Sequence, residues 1–239
     1  MTKGANETID LDGLTIHILR STRRKTLSLE VGHEGIKARA PARMREAAIK
    51  QFIARKRSWI ENTLAKLPPL HAPLNLQNGC ELSVLGQTYP LLITKGHKPI
   101  HIDANQQLVV PVSSRTNSPE QALRNKLIKW YKQVAMRHLE LRVRNQAGKM
   151  LGNGLTPKIK VRDYKRRWGS CDHRGDLSFN WRIIMAPERV MDYVVVHELA
   201  HLQEFNHSRR FWNIVEQEMS DWRDQQRWLS HNGSLLYRF

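Results

Sequence analysis

Asp192-Tyr-Val-Val-Val-His197-Glu198-Leu-Ala-His201-Leu-Gln-Glu-Phe-Asn-His207-Ser-Arg-Arg-Phe-Trp212 contains His-Glu-x-x-His and a third histidine six residues on. On an α-helix, positions i and i+4 share a face, so His197 and His201 can aim two imidazoles at one point. Two imidazoles, a third ligand and an open position are what a catalytic zinc requires. Glu198 lies beside that face, placed to act as general base on a water without being a ligand itself. His207 is too far along to share the face unless the helix ends near Phe205. Asn206 is the residue expected to end it, because Asn tolerates the left-handed conformation that closes helices. The chain would then turn and bring His207 under the metal. A bare His-x-x-x-His pair on a helix is commonly surface or core histidine. Here the pair encloses a glutamate, follows Val194-Val195-Val196 and is joined by a third histidine, so a metal site is the stronger reading.

The bulk numbers set bounds around this stretch. The 239 residues suffice for one large domain or two small ones with a real core. A 40% hydrophobic and 26% charged composition is that of a globular chain. No run approaches the roughly 18 apolar residues of a membrane span, and the first residues lack a signal-peptide core. Cys80 and Cys171 lie far apart, which argues against a disulfide framework. Together these predict a cytoplasmic protein with no membrane partner. The formal net charge of +17 creates a field that attracts polyanions: nucleic acid, nucleotides or acidic protein surfaces.

Taken in order, residues 1–12 read as polar and loose. Thr15–Leu19, Thr26–Val31 and Ile36–Ala40 alternate as strands of an antiparallel meander. One helix is expected over 45–67, stopped by Pro68-Pro69, with Arg55-Lys56-Arg57 on its solvated side. Hairpins follow over 81–94 and 100–112. The shift at 113–118 predicts a boundary between a β-rich domain, 1–115, and a metal-binding domain, 116–239. Ser118-Pro119 opens a long helix to about Ala147, with Leu123, Leu127, Tyr131, Val134, His138 and Leu141 along one face. His138 reads as a core histidine. Strands are expected at Lys158–Arg162 and Leu177–Trp181, the latter continuing to Met185. Between them, Lys165-Arg166-Arg167-Trp168-Gly169-Ser170-Cys171 joins three cations, an aromatic and a glycine. Arginine suits carboxylate or phosphate recognition, and Gly169 allows close backbone approach. Arg166, Arg167, Trp168 and Asn180 are the candidate substrate-binding residues. Cys171 has no evident activating base and reads as structural. Ser208 is expected to cap a helix over 209–219, ahead of an amphipathic one over 221–229.

Arg166-Arg-Trp-Gly-Ser-Cys171, Leu177-Ser-Phe-Asn-Trp-Arg182, Tyr193-Val-Val-Val-His-Glu-Leu-Ala-His-Leu202 and Asn206-His-Ser-x-x-Phe-Trp212 resemble the bacterial YgjP-like metallohydrolases. The resemblance implies an α+β fold with a zincin-like C-terminal domain, similar to the SprT and WLM metallopeptidase groups. It implies one zinc ion per chain on His197, His201 and His207, with Glu198 catalytic. The metzincins carry a glycine three residues after the second histidine. Here that position is Glu204, so the turn must be made differently.

The leading expectation is zinc-dependent hydrolysis of a peptide bond in a peptide or protein, with the peptide added along the Leu177–Trp181 strand. Arg167, His173, Tyr193 and His231 are candidates to stabilise the oxyanion. One alternative is a nucleoside triphosphate (for example UTP) pyrophosphohydrolase, using magnesium or another divalent metal and Lys165-Arg166-Arg167 on the phosphates. A third reading is a protease that associates with nucleic acid through its basic N-terminal surface.

Overall fold

Apolar residues alternate along Leu14–Ser21 (β2) and Gly35–Pro41 (β4), which puts Ile16, Ile18, Ile36, Ala38 and Ala40 on one buried face. Ile49, Ile53 and Ile60 from two helices, Glu46–Arg55 (α1) and Arg57–Ala65 (α2), complete this core. The computed structural model describes residues 6–32, 34–65, 67, 71–113, 118–152 and 156–239. The chain divides into two compact units, Met1–Leu70 and His71–Phe239, each with its own core. The division falls after Leu70, where composition predicts a boundary near 115. The reason is that the hairpins after residue 80 share one core with the long helix that follows them. Residues 114–117, at the expected boundary, lie outside the described residues.

The first unit departs from an antiparallel meander. Asn6–Leu11 (β1) is a strand, paired antiparallel with β2 through Asp12-Gly13, both at positive φ. Ser28–Gly32 (β3) pairs antiparallel with β4, and the strand order is β1-β2-β4-β3. Strand β4 therefore lies between β2 and β3 and runs parallel to β2. The expected single helix over 45–67 is interrupted at Lys56, whose N–H reaches the carbonyls of both Phe52 and Ile53. Arg57, just past the break, bonds the Asp12 carbonyl at 3.2 Å and pairs with the Asp12 carboxylate at 3.0 Å. Pro68 and Pro69 lie outside the described residues.

The second unit opens with Glu81–Val84 (β5), Gln87–Lys95 (β6), His101–Ile102 (β7) and Leu108–Val112 (β8), in order β5-β6-β8-β7. Helix Pro119–Leu151 (α3) lies against this core with Leu123, Leu127, Tyr131, Ala135, Leu139, Val143 and Ala147 buried. The buried residues keep a four-residue spacing throughout. The stripe therefore winds around the helix, which packs in turn on β8, Trp181–Met185, the metal-site helix and the strand Ile159–Arg162 (β9). Leu141, expected on the stripe, is exposed, and His138 is half-buried beside Arg142 at 3.2 Å.

Gly169–Cys171 (β10), Leu177–Asn180 (β11) and β9 form a small sheet in order β10-β11-β9. The strand expected to continue through Met185 stops at Asn180. Trp181–Met185 coils into a 3₁₀ turn with all five side chains buried. The Asn180 side chain accepts the Arg182 N–H and starts that turn. The Trp181 ring closes on Tyr131 and Phe239. Helices Glu188–Ala200 (α4), Arg209–Glu218 (α5) and Trp222–Asn232 (α6) complete the unit. Among the described residues no helix is long and apolar enough to cross a membrane.

Candidate metal centre

Helix α4 is held on most sides: nine of its residues are buried, and it packs against α3, α5, α6 and β10. From α3, the Arg142 guanidinium donates to Asp192 at 2.9 Å and to Glu188 at 2.5 Å. The helix ends at Ala200 rather than near Phe205. His201 is its C-cap yet keeps helical angles (φ −64°, ψ −20°), so its alignment with His197 is preserved. The N–H groups of Gln203 and Glu204 both reach the Ala200 carbonyl, closing one tight turn. Asn206 makes the reversal through its side chain rather than a left-handed backbone: its Oδ1 accepts the Ser208 N–H at 3.0 Å. Ser208 then caps α5 by accepting the Phe211 N–H.

This turn brings His207 to the other two histidines. One ligand atom from each of His197, His201 and His207 lies within 4.8 Å of the others. The Nε2 atoms of His197 and His207 are 3.0 Å apart. His201 Nδ1 lies 3.1 Å from the Glu204 carbonyl, which as acceptor fixes the proton on Nδ1 and leaves Nε2 for a ligand. Phe211 forms the floor, with its ring centre 4.6 to 4.9 Å from all three imidazoles. Burial holds His197 neutral, with its pKa lowered to about 3, and the neighbouring imidazoles add to the effect. Burial likewise lowers His201. Convergent imidazole nitrogens at these separations fit a divalent cation.

Glu198 is 4% exposed, and its Oε2 has no hydrogen-bond partner in the structure. Burial raises its carboxyl to about 8, and the Arg167 charge opposes this. Gly169 lies directly against it. A Cβ there would stand 2.6 Å from Glu198 Cγ and 2.7 Å from Cδ. The close approach expected of Gly169 is thus made to the carboxylate.

Two adjoining cavities share Arg167, Gly169, His197 and Glu198. One, about 350 Å³, adds Ser170, Cys171, His201, Phe205 and His207. The other, about 380 Å³, adds Trp168, Tyr193, Val194, Gln226, Leu229 and Ser230. Of the sequence candidates, Arg167 and Trp168 line this space, whereas Arg166 is exposed and lines neither cavity. Asn180 is fully buried and holds the loop from below. Its Nδ2 donates to the carbonyls of Tyr164 and Arg167 and to Tyr237 Oη. Among the oxyanion candidates, Arg167 and Tyr193 line a cavity; His173 and His231 do not. Cys171 lines the site as a thiol whose pKa burial and Glu198 push up to about 11. Gln226 and Ser230 carry no motif. Only their i, i+4 spacing on α6 could have singled them out. Strand β11, proposed from sequence as the edge for a substrate, is the middle strand of its sheet; β10 is the edge beside α4.

Residues 25–232 match the family described as YgjP-like, metallopeptidase domain. The chain belongs to this family. It is accordingly a metal-dependent hydrolase. Two solved structures are similar to part of it. One is the metallopeptidase zymogen of Pyrococcus abyssi abylysin, 23% identical, covering 40% of this chain and 92% of that chain with a TM-score of 0.33. The other is the metallopeptidase zymogen of Methanocaldococcus jannaschii jannalysin, 18% identical, covering 37% of this chain and 90% of that chain, also with a TM-score of 0.33. No curated protein matches the chain.

Proposed function

We propose that this protein is a zinc-dependent peptidase with His197, His201 and His207 as ligands and Glu198 as general base. The observation that carries the reading is the convergence of three imidazoles beside a buried carboxylate whose Oε2 has no hydrogen-bond partner. An all-nitrogen donor set favours zinc over magnesium, which prefers oxygen. Zinc bound there supplies Lewis acidity, polarising a carbonyl and lowering the pKa of water. A nearby dication also favours the ionised carboxyl, offsetting the burial that raises Glu198. Glu198 then takes a proton from the attacking water and delivers it to the leaving amine. Gly169 keeps this carboxylate against β10, and His201 is oriented by the Glu204 carbonyl.

The substrate would lie extended along the β10 edge, where main-chain groups give affinity without selecting a sequence. A side chain of the substrate would enter the cavity walled by Trp168, Tyr193, Val194 and Leu229. Arg167 lines both cavities and would bind the carbonyl oxygen as it gains charge. Of the three cations at 165–167, only Arg167 lines these cavities, so the peptide reading is preferred to the nucleotide one. The test is purified wild type against Glu198→Gln, with metal content by elemental analysis and a panel of peptides, unfolded proteins and nucleoside triphosphates. The expected result is about one zinc per chain in both proteins and peptide cleavage reduced about 10²–10⁴-fold in the variant. Triphosphate hydrolysis lost in the variant, with peptides untouched, would overturn the reading.

A further inference from the structure

Where β2 runs out of the first unit's sheet, a cavity of about 290 Å³ is lined by Leu19, Arg20, Ser21, Arg23, Arg24 and Arg39. Four arginines lining so small a space is a costly arrangement unless anions answer their charge. Two are answered within the fold. Arg20 Nε donates to Glu7 at 3.0 Å, and its Nη1 reaches the Met44 carbonyl at 2.6 Å. Arg39 Nε donates to Glu30 at 2.6 Å. Among the described residues, no carboxylate forms an ion pair with the other two, Arg23 and Arg24. Arg24 is nevertheless fixed: its Nε donates to the Thr26 carbonyl at 3.1 Å and its Nη2 to Ser28 Oγ at 2.8 Å. These neutral acceptors orient the guanidinium while leaving its charge in place. Arg23 stands next to it in the turn that Ser21 closes, its own N–H bonded to Ser21 Oγ.

We infer that this cavity is a phosphate-binding site, with Arg23 and Arg24 as its charged donors and Arg20 and Arg39 as its walls. Two uncompensated positive charges match one phosphate dianion or two successive phosphodiesters. The planar fork of arginine fits phosphate oxygens in pairs. The surroundings favour the same sign, since residues 1–70 hold 14 Lys and Arg against 7 Asp and Glu. The phosphate is carried on a nucleic-acid strand or arrives as a small free anion. Both sources present the same group to the same arginines.

The experiment uses the full chain. Fluorescence anisotropy with a labelled single-stranded oligonucleotide of about 20 nucleotides is measured across roughly 50–200 mM salt. Inorganic phosphate is titrated separately by calorimetry. The variant is Arg23→Glu/Arg24→Glu, with Arg23 exposed and Arg24 half-buried. The control is Arg144→Glu/Lys149→Glu, which makes the same charge change on exposed positions of α3. Circular dichroism checks that both stay folded, and Glu198→Gln serves as a variant in which the phosphate site is intact. The expected result is oligonucleotide affinity at least about tenfold weaker in the turn variant, with a log–log salt slope smaller by about 2. The control and Glu198→Gln should bind as the wild type does, apart from a small loss in the control. Inorganic phosphate bound by the wild type and lost in the turn variant, with oligonucleotide binding unaffected, supports the site and assigns it a small anion. Equal losses in the turn variant and the control, or no binding of either probe, would overturn it.

Discussion

Glu198 is the residue whose state the fold controls most tightly. In the metal-free protein its carboxyl titrates near 8, against an ordinary value of 4.5. Below 4.5 the folded and unfolded chains both hold the proton. Between the two values the unfolded chain releases it and the folded chain does not, so stability falls as pH rises. Glutamine has no such dependence. Glu198→Gln should therefore raise the melting temperature of the metal-free protein near pH 8, and the gain should vanish towards pH 4.5. His197 titrates in both proteins and cancels in the comparison. Melting curves at the two pH values decide this; a constant difference would mean that the carboxyl is not desolvated. Gly169 makes the complementary claim. A methyl group there collides with Glu198 Cγ and Cδ, so Gly169→Ala should cost about 1–3 kcal/mol in stability. It should also reduce peptide cleavage well beyond the loss of folded protein, because the carboxylate must move. Unchanged kcat/KM in Gly169→Ala would remove Gly169 from the account of the site.

At the scale of elements, the site depends on how α4 ends and α5 begins. The Asn206 side chain bends the chain and Ser208 starts the next helix, and between them they set where His207 stands. Ser208→Ala removes the cap and should cost about 1 kcal/mol. It should also weaken metal binding in a chelator competition, since His207 is carried on the same turn. A variant that lost stability but kept full metal affinity would show His207 to be held by Phe211 and Trp212 instead. The rings of those residues lie 4.7 and 5.7 Å from His207. Asn180 acts similarly from below. It was read from sequence as a substrate contact, but its amide joins three partners that fix the loop bearing Arg167 and Trp168.

At the scale of the whole molecule there are two cores, and the histidines belong to only one of them. Zinc at about 1,000 times its Kd should add about 4 kcal/mol to that unit and raise its melting temperature by roughly 8–16 °C. Scanning calorimetry with and without chelator should move the transition of His71–Phe239 and leave that of Met1–Leu70 in place; a joint shift would mean that the units melt together. What the sequence alone determined is what short-range periodicity encodes. The face shared by His197 and His201, the Ser208 cap and the long helix from Pro119 all follow from spacings of a few residues, whereas the α+β class came from the family resemblance. The tertiary structure decided the rest. Strand β4 inserts between β2 and β3, Gly169 lies against Glu198, Asn180 turns inward, and Gln226 and Ser230 reach the cavity from α6. Each of these joins residues from separate elements, so it depends on which surfaces fill the core together. No local pattern in the chain carries that information.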